Sequence, residues 1–418
     1  MDNLSRNNKH FLILVTQSFP YGIVESSFLK EEIKALDSKF NVTIVSRNVK
    51  DVQYVDIPQG VTVFRYDPSK FYNPLFLFFQ TLLTKNFYKE LCFLICKKKV
   101  DWKNVKKCIS IQMRVLHFSK YLYNVRQQFS GIVVLYSYWN DYACFALSRV
   151  KRKGDFLVSR LHGGDLYELD INNRYQPYKN SYDKSVDLFS FISNNGLEYF
   201  NTTYFDVSRR SSINYLGVPA RSTSYSFSLR KNIKIVSFSY VRDIKRIDRI
   251  IDALSKISDI DVFWTHIGAR YLYDKVREYA EQKLTNKTNI KYQFLGEMKN
   301  EDALDYMSNN EFDFLINVSL TEGMPMTMME AFSMSLPVIG TKVGGVPEVV
   351  RDSYNGYLLG VDYRDEELIS ILEKYVNLPY EDKIELREHA KETWRSTFYD
   401  ITNYKRFSQT IEDRIQLL

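Results

Sequence analysis

Two carboxylates, Glu322 and Glu330, have the residue type and the spacing that suit binding of a polyhydroxylated ligand. The apolar run at residues 312–317 predicts a buried parallel strand, and Pro325 suits the first turn of the helix that follows. Glu322 would then lie at the carboxyl end of a strand, where open α/β sheets bind ligands. Glu330 would fall one to two turns into the helix, where its carboxylate can accept hydrogen bonds from adjacent hydroxyls of a sugar or ribose.

The turn between the two carboxylates predicts an anion site. It would aim the backbone N–H groups of Met326 and Thr327 at a position suited to phosphate, because the first amides of a helix have no partner within it. The spacing also permits a second interpretation. Thr327 and Glu330 fit a capping box, in which Glu330 reaches back to a backbone donor and binds no ligand. From spacing alone, both interpretations stay open.

The sequence around this pair resembles a known family. From Glu322 to residue 350, including Gly344-Gly345 and Pro347, it is similar to the signature of the retaining glycosyltransferases of family 4, of the bacterial surface-polysaccharide type. Weaker similarity extends to residues 11–22, 159–167 and 234–245, whereas residues 50–130 match no family pattern. The resemblance implies an α/β fold of the GT-B type, with two Rossmann-like domains facing a central cleft.

The resemblance implies catalytic roles for His162, Lys245 and Glu322. Glu322 would contact the donor sugar, and Lys245 would stabilise the charge of the departing diphosphate. His162, which precedes two glycines after a predicted strand, would orient the sugar rather than act as a general base. The family usually has an arginine five positions before the lysine. Tyr240 occupies that position here, and Arg242 is the candidate to replace the arginine.

The resemblance also implies donor-binding roles. Glu330 would bind ribose hydroxyls, and Gly22 would lie in the first strand-to-helix loop near the donor phosphates, where the family more often has a pair of glycines. Met298 lies in the segment 294–298, which resembles the loop that contacts the nucleotide base. For Gly344-Gly345 a purely structural turn is as well supported as a ligand role. The candidate donor-binding residues are Gly22, Arg246, Met298, Met326, Thr327 and Glu330.

The function implied is that of a retaining hexosyltransferase that uses a UDP- or GDP-linked sugar as co-substrate. The acceptor would be a hydroxyl of a glycan or lipid-linked glycan. We expect no further cofactor and no metal, because Asp259-Ile-Asp261 precedes a predicted strand in the second domain and is interpreted as a turn. The alternative is a non-catalytic GT-B binding protein that acts as a partner of another transferase. No nucleic-acid-binding motif is present in the sequence.

Length and composition agree with a soluble globular protein of two domains, with 418 residues, 45% apolar and 26% charged. The sequence shows neither a signal-peptide pattern nor a run of about eighteen apolar residues, so a cytoplasmic protein is expected. The charge is uneven. Residues 1–250 carry 38 Lys and Arg against 21 Asp and Glu, a net charge of +17, whereas the remainder carries −10. This asymmetry indicates an anionic partner for the N-terminal half, either nucleic acid, phospholipid head groups or a phosphorylated substrate. A solvated basic face with no partner is the alternative.

The segment at residues 71–120 combines aromatic and aliphatic stretches with lysine clusters. Its lysines include Lys97, Lys98, Lys99 and Lys103. Such a composition suits an interfacial helix that contacts an anionic membrane, here at the inner face of the cytoplasmic membrane. Helices that simply pack on a sheet have similar compositions, so both interpretations stay open. The four cysteines fit no zinc pattern and are predicted to be free and mostly buried.

Strand-like runs alternate with helix-like segments along the whole chain, which predicts parallel sheets covered by helices. The expected domains are residues 1–217 for the acceptor, 218–400 for the nucleotide sugar, and a helix at 401–418 that packs back on the first domain; residues 216–226 read as the linker. The predicted strands are residues 11–16, 42–45, 61–66, 131–136, 156–161, 187–192, 233–238, 262–267, 292–295, 314–316 and 337–339.

Overall fold

The computed structural model describes residues 9–48, 52–70, 73–168, 175–221 and 232–417. These residues divide into two compact units. One contains the described residues up to Tyr215 together with those from Ile401 onward, and the other runs from Leu216 to Asp400. The division falls two residues before the boundary predicted after residue 217. Residues 222–226 of the predicted linker lie outside the described residues.

The first unit is built on a parallel sheet of seven strands in the order β3-β2-β1-β4-β5-β6-β7. Alternate residues of the first strand enter two different apolar clusters, with Leu12 and Leu14 in one and Ile13 and Val15 in the other. Both faces of the sheet are therefore covered, which explains why its inner strands are continuous apolar runs. The strands are β1 Phe11–Thr16, β2 Asn41–Ser46, β3 Thr62–Arg65, β4 Val133–Ser137, β5 Phe156–Leu161, β6 Leu188–Phe191 and β7 Ser211–Ile213.

Helices connect these strands, and polar side chains begin several of them. Asn73 accepts a hydrogen bond from the N–H of Phe76, and Asp101 accepts one from the N–H of Asn104, which fixes the starts of α2 and α4. The helices are α1 Ile23–Lys39, α2 Pro74–Leu82, α3 Lys85–Cys96, α4 Trp102–Arg126, α5 Tyr142–Val150, α6 Gly163–Leu166, α7 Lys179–Tyr182 and α8 Asn194–Thr203.

The second unit contains a parallel sheet of six strands in the order β10-β9-β8-β11-β12-β13. Its strands are β8 Asn232–Phe238, β9 Asp261–Ile267, β10 Ile290–Phe294, β11 Phe314–Asn317, β12 Val338–Thr341 and β13 Gly356–Leu359. Its helices are α9 Ile247–Lys256, α10 Tyr273–Leu284, α11 Asn300–Asn309, α12 Met326–Ser333, α13 Val346–Val349, α14 Asp365–Val376 and α15 Tyr380–Thr393.

The last helix, α16 Asp400–Ile415, supplies core residues to the first unit. Phe407, Ile411 and Ile415 join the cluster that contains Leu12 and Leu14. The guanidinium of Arg160 lies 4.6 Å from the centre of the Phe407 ring. The C-terminal segment therefore completes one face of the first sheet.

The parallel-sheet α/β architecture predicted from the sequence is confirmed. The strands predicted at 11–16 and 156–161 have the predicted bounds, and the ends of the others differ by one or two residues. Two short strands, β7 and β13, were not predicted. The expectation of mostly buried thiols was wrong for Cys92 and Cys96, which are exposed on α3, whereas Cys108 and Cys144 are buried.

Candidate functional site

The strand order of the second unit creates a place where loops diverge. From β8 the chain moves outward through β9 to β10, and from β11 it moves the other way through β12 to β13, so β8 and β11 are neighbours at a topological switch point. Ligands of open α/β sheets bind at the carboxyl ends of the strands at such a point. The loop after β8 carries Lys245, and the loop after β11 carries Glu322.

Lys245 and Glu322 form an ion pair across these two loops. The Nζ of Lys245 lies 2.6 Å from Oε1 of Glu322, and both side chains are partly buried. Asn317, the last residue of β11, donates a hydrogen bond from Nδ2 to the same oxygen at 3.0 Å. The backbone joins the loops as well, since the N–H of Leu320 donates to the carbonyl of Ile244 at 2.8 Å. The structure thus brings together two of the predicted catalytic residues.

The turn after β12 packs against the loop that carries Glu322. Gly344 has a φ of +50°, and a Cβ at this position would come 1.8 Å from the carbonyl oxygen of Glu322. The N–H of Gly345 donates to the carbonyl of Gly323 at 2.9 Å. A side chain at either glycine would displace the Glu322 loop. The contacts therefore give Gly344-Gly345 a positioning role, which favours the structural interpretation over direct ligand binding.

Arg246 faces inward rather than toward the open edge of the sheet. Its Nε donates to the carbonyl of Val318 and its Nη1 to the carbonyl of Val361, each at 2.7 Å. The residue has a φ of +50° and is buried. Its Nη2 has no hydrogen-bond partner among the described residues. Two nitrogens of the guanidinium thus hold the loops together, and only Nη2 is left for the predicted contact with a diphosphate.

Glu330 is a buried carboxyl group with one occupied oxygen. Oε1 accepts a hydrogen bond from Nδ2 of Asn300 at 3.1 Å, whereas Oε2 has no partner among the described residues. Burial raises the pKa of Glu330 from 4.5 to about 7, although the hydrogen bond from Asn300 and the positive charge of Arg221 oppose the shift. A buried hydrogen-bond acceptor without a donor lowers the stability of the folded protein, and hydroxyl groups of a ligand could donate to Oε2.

The capping-box interpretation of Thr327 and Glu330 is wrong. Helix α12 begins at Met326, its N-cap is Pro325, and no side chain caps it. Glu330 instead bonds to Asn300 of another helix. Pro325 was predicted inside the first turn and lies one position before it. Met326 and Thr327 are the first two residues of α12, as the predicted anion site requires, and their amides have no acceptor within a helix.

The predicted base-contacting loop lies beside Glu330. Met298 follows β10 and precedes α11, whose first residue is the Asn300 that contacts Glu330.

Arg242, the candidate to replace the missing arginine, donates to the hydroxyl of Tyr271, and its guanidinium lies 4.1 Å from the centre of that ring. Tyr240 is exposed. Arg242 is therefore oriented by Tyr271 in the unliganded protein.

In the first unit, His162 follows β5 and is buried between two aromatic rings. The rings of Tyr138 and Trp139 lie 4.7 and 4.5 Å from the imidazole, centre to centre. Neither ring nitrogen of His162 has a hydrogen-bond partner among the described residues. Burial, with the positive charge of Arg160, lowers the pKa of His162 well below 6.5. The imidazole is therefore neutral at physiological pH, with one donor and one acceptor to offer a ligand.

Asp165 fixes the backbone around His162. Its carboxylate accepts hydrogen bonds from the N–H groups of His162 and Asn140, each at 2.6 Å. Burial raises the pKa of Asp165 to about 7 against the opposing charge of Lys179, and burial lowers the pKa of Lys179 to about 8. Because this carboxyl group bonds the backbone of two loops, it positions the imidazole and leaves both its ring nitrogens unused.

Gly22 lies at the start of α1, after a tightly held loop. A Cβ on Gly22 would come 2.4 Å from Oγ of Ser18, so the turn requires glycine. Glu25 clamps the loop, since its carboxylate accepts the N–H of Gln17 at 2.9 Å and the indole N–H of Trp139 at 2.5 Å. The loops after β1 and β4, at the switch point of the first sheet, are thereby joined.

Within the described residues, no group of three His, Cys, Asp or Glu side chains is arranged to hold a metal ion. Asp259 lies in a bend and Asp261 begins β9, and both side chains are exposed. The Asp-x-Asp motif therefore runs from a bend into the first residue of β9, whereas the sequence predicted that all of it precedes the strand.

Several residues that shape these sites were not predicted. Asn317 and Asn300 orient Glu322 and Glu330, and Glu25 holds the Gly22 loop. An asparagine at the very end of a predicted strand was the available signal for Asn317. No local pattern marks Asn300, because its contact joins helices that are thirty residues apart in the chain.

Comparison with known proteins gives a consistent result. Residues 225–396 match the family model described as glycosyl transferases group 1. An uncharacterised glycosyltransferase of Methanocaldococcus jannaschii is 36% identical over 115 residues, which cover 27% of this chain and 30% of the relative. The chain thus matches less than a third of that curated relative's own length.

Solved structures are similar over nearly the whole chain. The Anabaena protein HepE, in a complex with UDP and glucose, has a TM-score of 0.66 at 16% identity and covers 96% of this chain and 99% of its own. The apo form of the lipopolysaccharide outer core galactosyltransferase WaaB has a TM-score of 0.66 at 15% identity, with 96% and 99% covered. These similarities confirm the GT-B fold, with two Rossmann-like domains.

Proposed function

The chain carries a glycosyl transferases group 1 domain in a GT-B fold, and we propose that it transfers a hexose from a nucleotide-diphosphate sugar to a hydroxyl group. The observation that carries the proposal is the pair of acidic groups around one loop of the second unit. Glu322 is fixed by Lys245, and Glu330 is buried with an unpartnered oxygen. A ligand with hydroxyl groups would supply the donors that Oε2 of Glu330 lacks, and its diphosphate would be attracted by the charge of Lys245.

Each residue has a proposed role in binding the donor. Glu330 accepts hydrogen bonds from ribose hydroxyls through Oε2, and Glu322 contacts the donor sugar. Lys245 and the first amides of α12, at Met326 and Thr327, face the diphosphate. His162 donates and accepts hydrogen bonds to the sugar as a neutral imidazole. Gly22, Arg246 and Met298 complete the proposed donor contacts.

The proposed reaction retains the anomeric configuration by substitution on the front face. The bond between the anomeric carbon and the phosphate oxygen breaks, and a bond from that carbon to the acceptor oxygen forms. The acceptor proton passes to the departing phosphate, whose negative charge Lys245 stabilises as it develops. Nuclear magnetic resonance of the product tests this course, since inverted configuration at the anomeric carbon would contradict it.

The proposed acceptor is a glycan or a lipid-linked glycan in cell-surface polysaccharide synthesis, in the cytoplasm. This part follows from the sequence resemblance and from the likeness of the fold to that of a lipopolysaccharide galactosyltransferase. We further propose that the reaction needs no metal, because Lys245 and backbone donors supply the positive charge. Excess EDTA should leave the rate nearly unchanged, whereas a rate that collapses and returns with manganese would contradict the proposed diphosphate site.

The experiment for donor binding is a thermal-shift screen of UDP, GDP and their sugar derivatives. A ligand at a hundred times its Kd should add about 2.7 kcal/mol to the free energy of unfolding. The free nucleotides serve as references for the contribution of the sugar. A panel in which no nucleotide raises the melting temperature would contradict the proposed function.

A further inference from the structure

The segment from Asn73 to Lys107 presents bulky apolar side chains to solvent. Four apolar side chains of α2 and of the turn after it are strongly exposed, with Leu75 at 70%, Phe76 at 59%, Phe79 at 61% and Leu83 at 85%. Tyr88 and Ile95 of α3, Val100, and Trp102 at the start of α4 are also more than half exposed. Contiguous exposed apolar residues on a folded protein mark an interaction surface.

Helix α2 is apolar on both of its faces. Leu77 and Thr81 are buried on one face, whereas Leu75, Phe76 and Phe79 recur at helical spacing on the other. No charged residue occurs from residue 73 to residue 84. A helix of globular proteins normally carries polar residues on its solvent face, so the composition of α2 fits an environment that is apolar on that face as well.

Lysines follow this apolar helix in the sequence. Residues 73–107 contain eight lysines and two acidic residues, and one of the two, Glu90, is buried. Lys85 and Lys89 share the outward face of α3, Lys97 and Lys98 follow it, and Lys103 and Lys106 lie in the first turns of α4; all six are exposed. Lys99 forms an ion pair with Glu168.

The helices of this segment are too short to cross a bilayer. Helix α2 has nine residues and α3 has twelve, whereas a transmembrane helix needs about twenty. None of the helices in the described part of the chain has the length and apolarity needed to cross a membrane. An apolar helix among lysines can instead lie in the plane of the interface, with its side chains below the headgroups.

We propose that this surface, which we call the α2–α4 surface, docks on an anionic lipid bilayer. Leu75, Phe76, Phe79 and Leu83 would enter the boundary between headgroups and acyl chains. The exposed lysines of α3, of the turn after it and of α4 would contact anionic headgroups. The opposite faces of α2 and α3 pack against α4, which belongs to the core of the first unit. The docking helices are therefore packed on the core of the first unit.

Charge complementarity favours a bilayer over a protein partner. A protein would need an apolar pocket ringed with acidic groups to match α2 and six exposed lysines. A bilayer supplies both features without a shaped pocket, because its acyl chains lie directly below a layer of negative charge. Membrane binding by this surface is a property separate from the proposed reaction, and either can hold without the other.

The first test is co-sedimentation of the purified chain with vesicles of phosphatidylglycerol or of phosphatidylcholine. Binding should be strong on the anionic vesicles and should weaken at high ionic strength, because salt shortens the Debye length below about 8–10 Å. A variant with Lys97→Gln, Lys98→Gln and Lys103→Gln should lose roughly 100-fold in affinity at low salt. The matched control replaces three exposed lysines on other helices, Lys275, Lys374 and Lys405, by Gln, and it should bind like the wild type.

The second test concerns the apolar side chains. A variant with Phe76→Ser and Phe79→Ser should lose at least about tenfold in vesicle affinity, because it removes two rings from the interface. Both positions are exposed, so the melting temperature and nucleotide binding of this variant should match the wild type. The control is Ile401→Ser, a change at an exposed position of α16.

Trp102 provides an internal probe of depth. It is 75% exposed, whereas Trp264 and Trp394 are buried and Trp139 is half-buried. Its emission should shift to shorter wavelength with anionic vesicles, and acrylamide should quench it less. Trp102→Phe should abolish the shift without preventing sedimentation.

Three results would overturn the proposal. Equal recovery of the protein in the supernatant with anionic and neutral vesicles is one. Unchanged binding by the Phe76/Phe79 variant is another, because the apolar helix would then contribute nothing. The third is a wild-type protein that forms a dimer and does not bind vesicles, together with a Phe76/Phe79 variant that is a monomer. This result would assign the α2–α4 surface to contact with a second copy of the chain.

Discussion

The Nζ of Lys245 lies 2.6 Å from Oε1 of Glu322, although the two residues are 77 positions apart in the sequence. The ion pair joins the loops after β8 and β11 at the switch point of the second sheet. A lysine held in this way has a fixed position before any ligand binds. Fixed charges stabilise a transition state without the cost of reorganising at the moment of reaction.

The first prediction concerns Lys245. Lys245→Ala should lower kcat by roughly 10²–10³-fold and change the donor KM much less, because its stabilising effect grows as the diphosphate departs. Steady-state kinetics with a saturating acceptor measure both constants. Lys275→Ala, an exposed lysine of α10, is the matched control. An unchanged kcat with weaker donor binding would count against the proposed role.

The second prediction concerns the unpartnered oxygen of Glu330. Glu330→Gln should weaken the binding of nucleoside diphosphate by roughly 1–3 kcal/mol, the scale of a hydrogen bond to a charged group. Isothermal titration calorimetry gives the affinity directly. Glu278→Gln, at an exposed position of α10, should leave it unchanged. Equal affinities for the wild type and Glu330→Gln would remove this residue from the site.

The third prediction is a pH dependence of stability in the unliganded protein. Burial raises the pKa of Glu330 from 4.5 to about 7, so the folded protein holds this proton more tightly than the unfolded chain does. The stabilisation is fully present below the unfolded value and is lost as pH rises through about 7. Glu330→Gln should therefore gain stability relative to the wild type between about pH 5 and pH 8. If the melting temperatures of the wild type and of Glu330→Gln change equally with pH across this range, the raised pKa of Glu330 would be contradicted.

The fourth prediction separates two roles for His162. Its lowered pKa keeps the imidazole neutral, so the rate should show no titration of this group near 6.5. His162→Asn, which keeps a donor and an acceptor, should retain more activity than His162→Ala. A general base would instead cost about 10²–10⁴-fold in either variant. A step near pH 6.5 in the wild-type profile that vanishes in His162→Asn would show that the imidazole titrates in catalysis.

The fold was largely predictable because buried parallel strands leave continuous apolar runs in the sequence. Both strands that were missed lack this signal. Strand β7 begins with Ser211-Ser212, and strand β13 begins with Gly356 after a turn-forming asparagine. Strands of three or four residues at the edges of a sheet depend on pairing with a neighbour, which the local sequence does not encode.

The site was predictable only in part. Lys245 and Glu322 each follow a strand, and the parallel sheet places both at one edge. Their direct contact could not be predicted, because it depends on which strands are adjacent. The inward course of Arg246 could not be predicted either, since a positive φ at a non-glycine residue has no signal in the neighbouring sequence. The raised pKa of Glu330 depends on burial by distant residues.

The most direct test of the proposed function is the release of nucleoside diphosphate from a panel of UDP- and GDP-sugars. The wild type should release the nucleotide from one donor, slowly with water and faster with an acceptor glycan. Lys245→Ala should bind the same donor and release much less. A wild type that binds a nucleotide sugar tightly and releases no nucleoside diphosphate with any acceptor would contradict the account, because the chain would then be a binding protein in a GT-B fold.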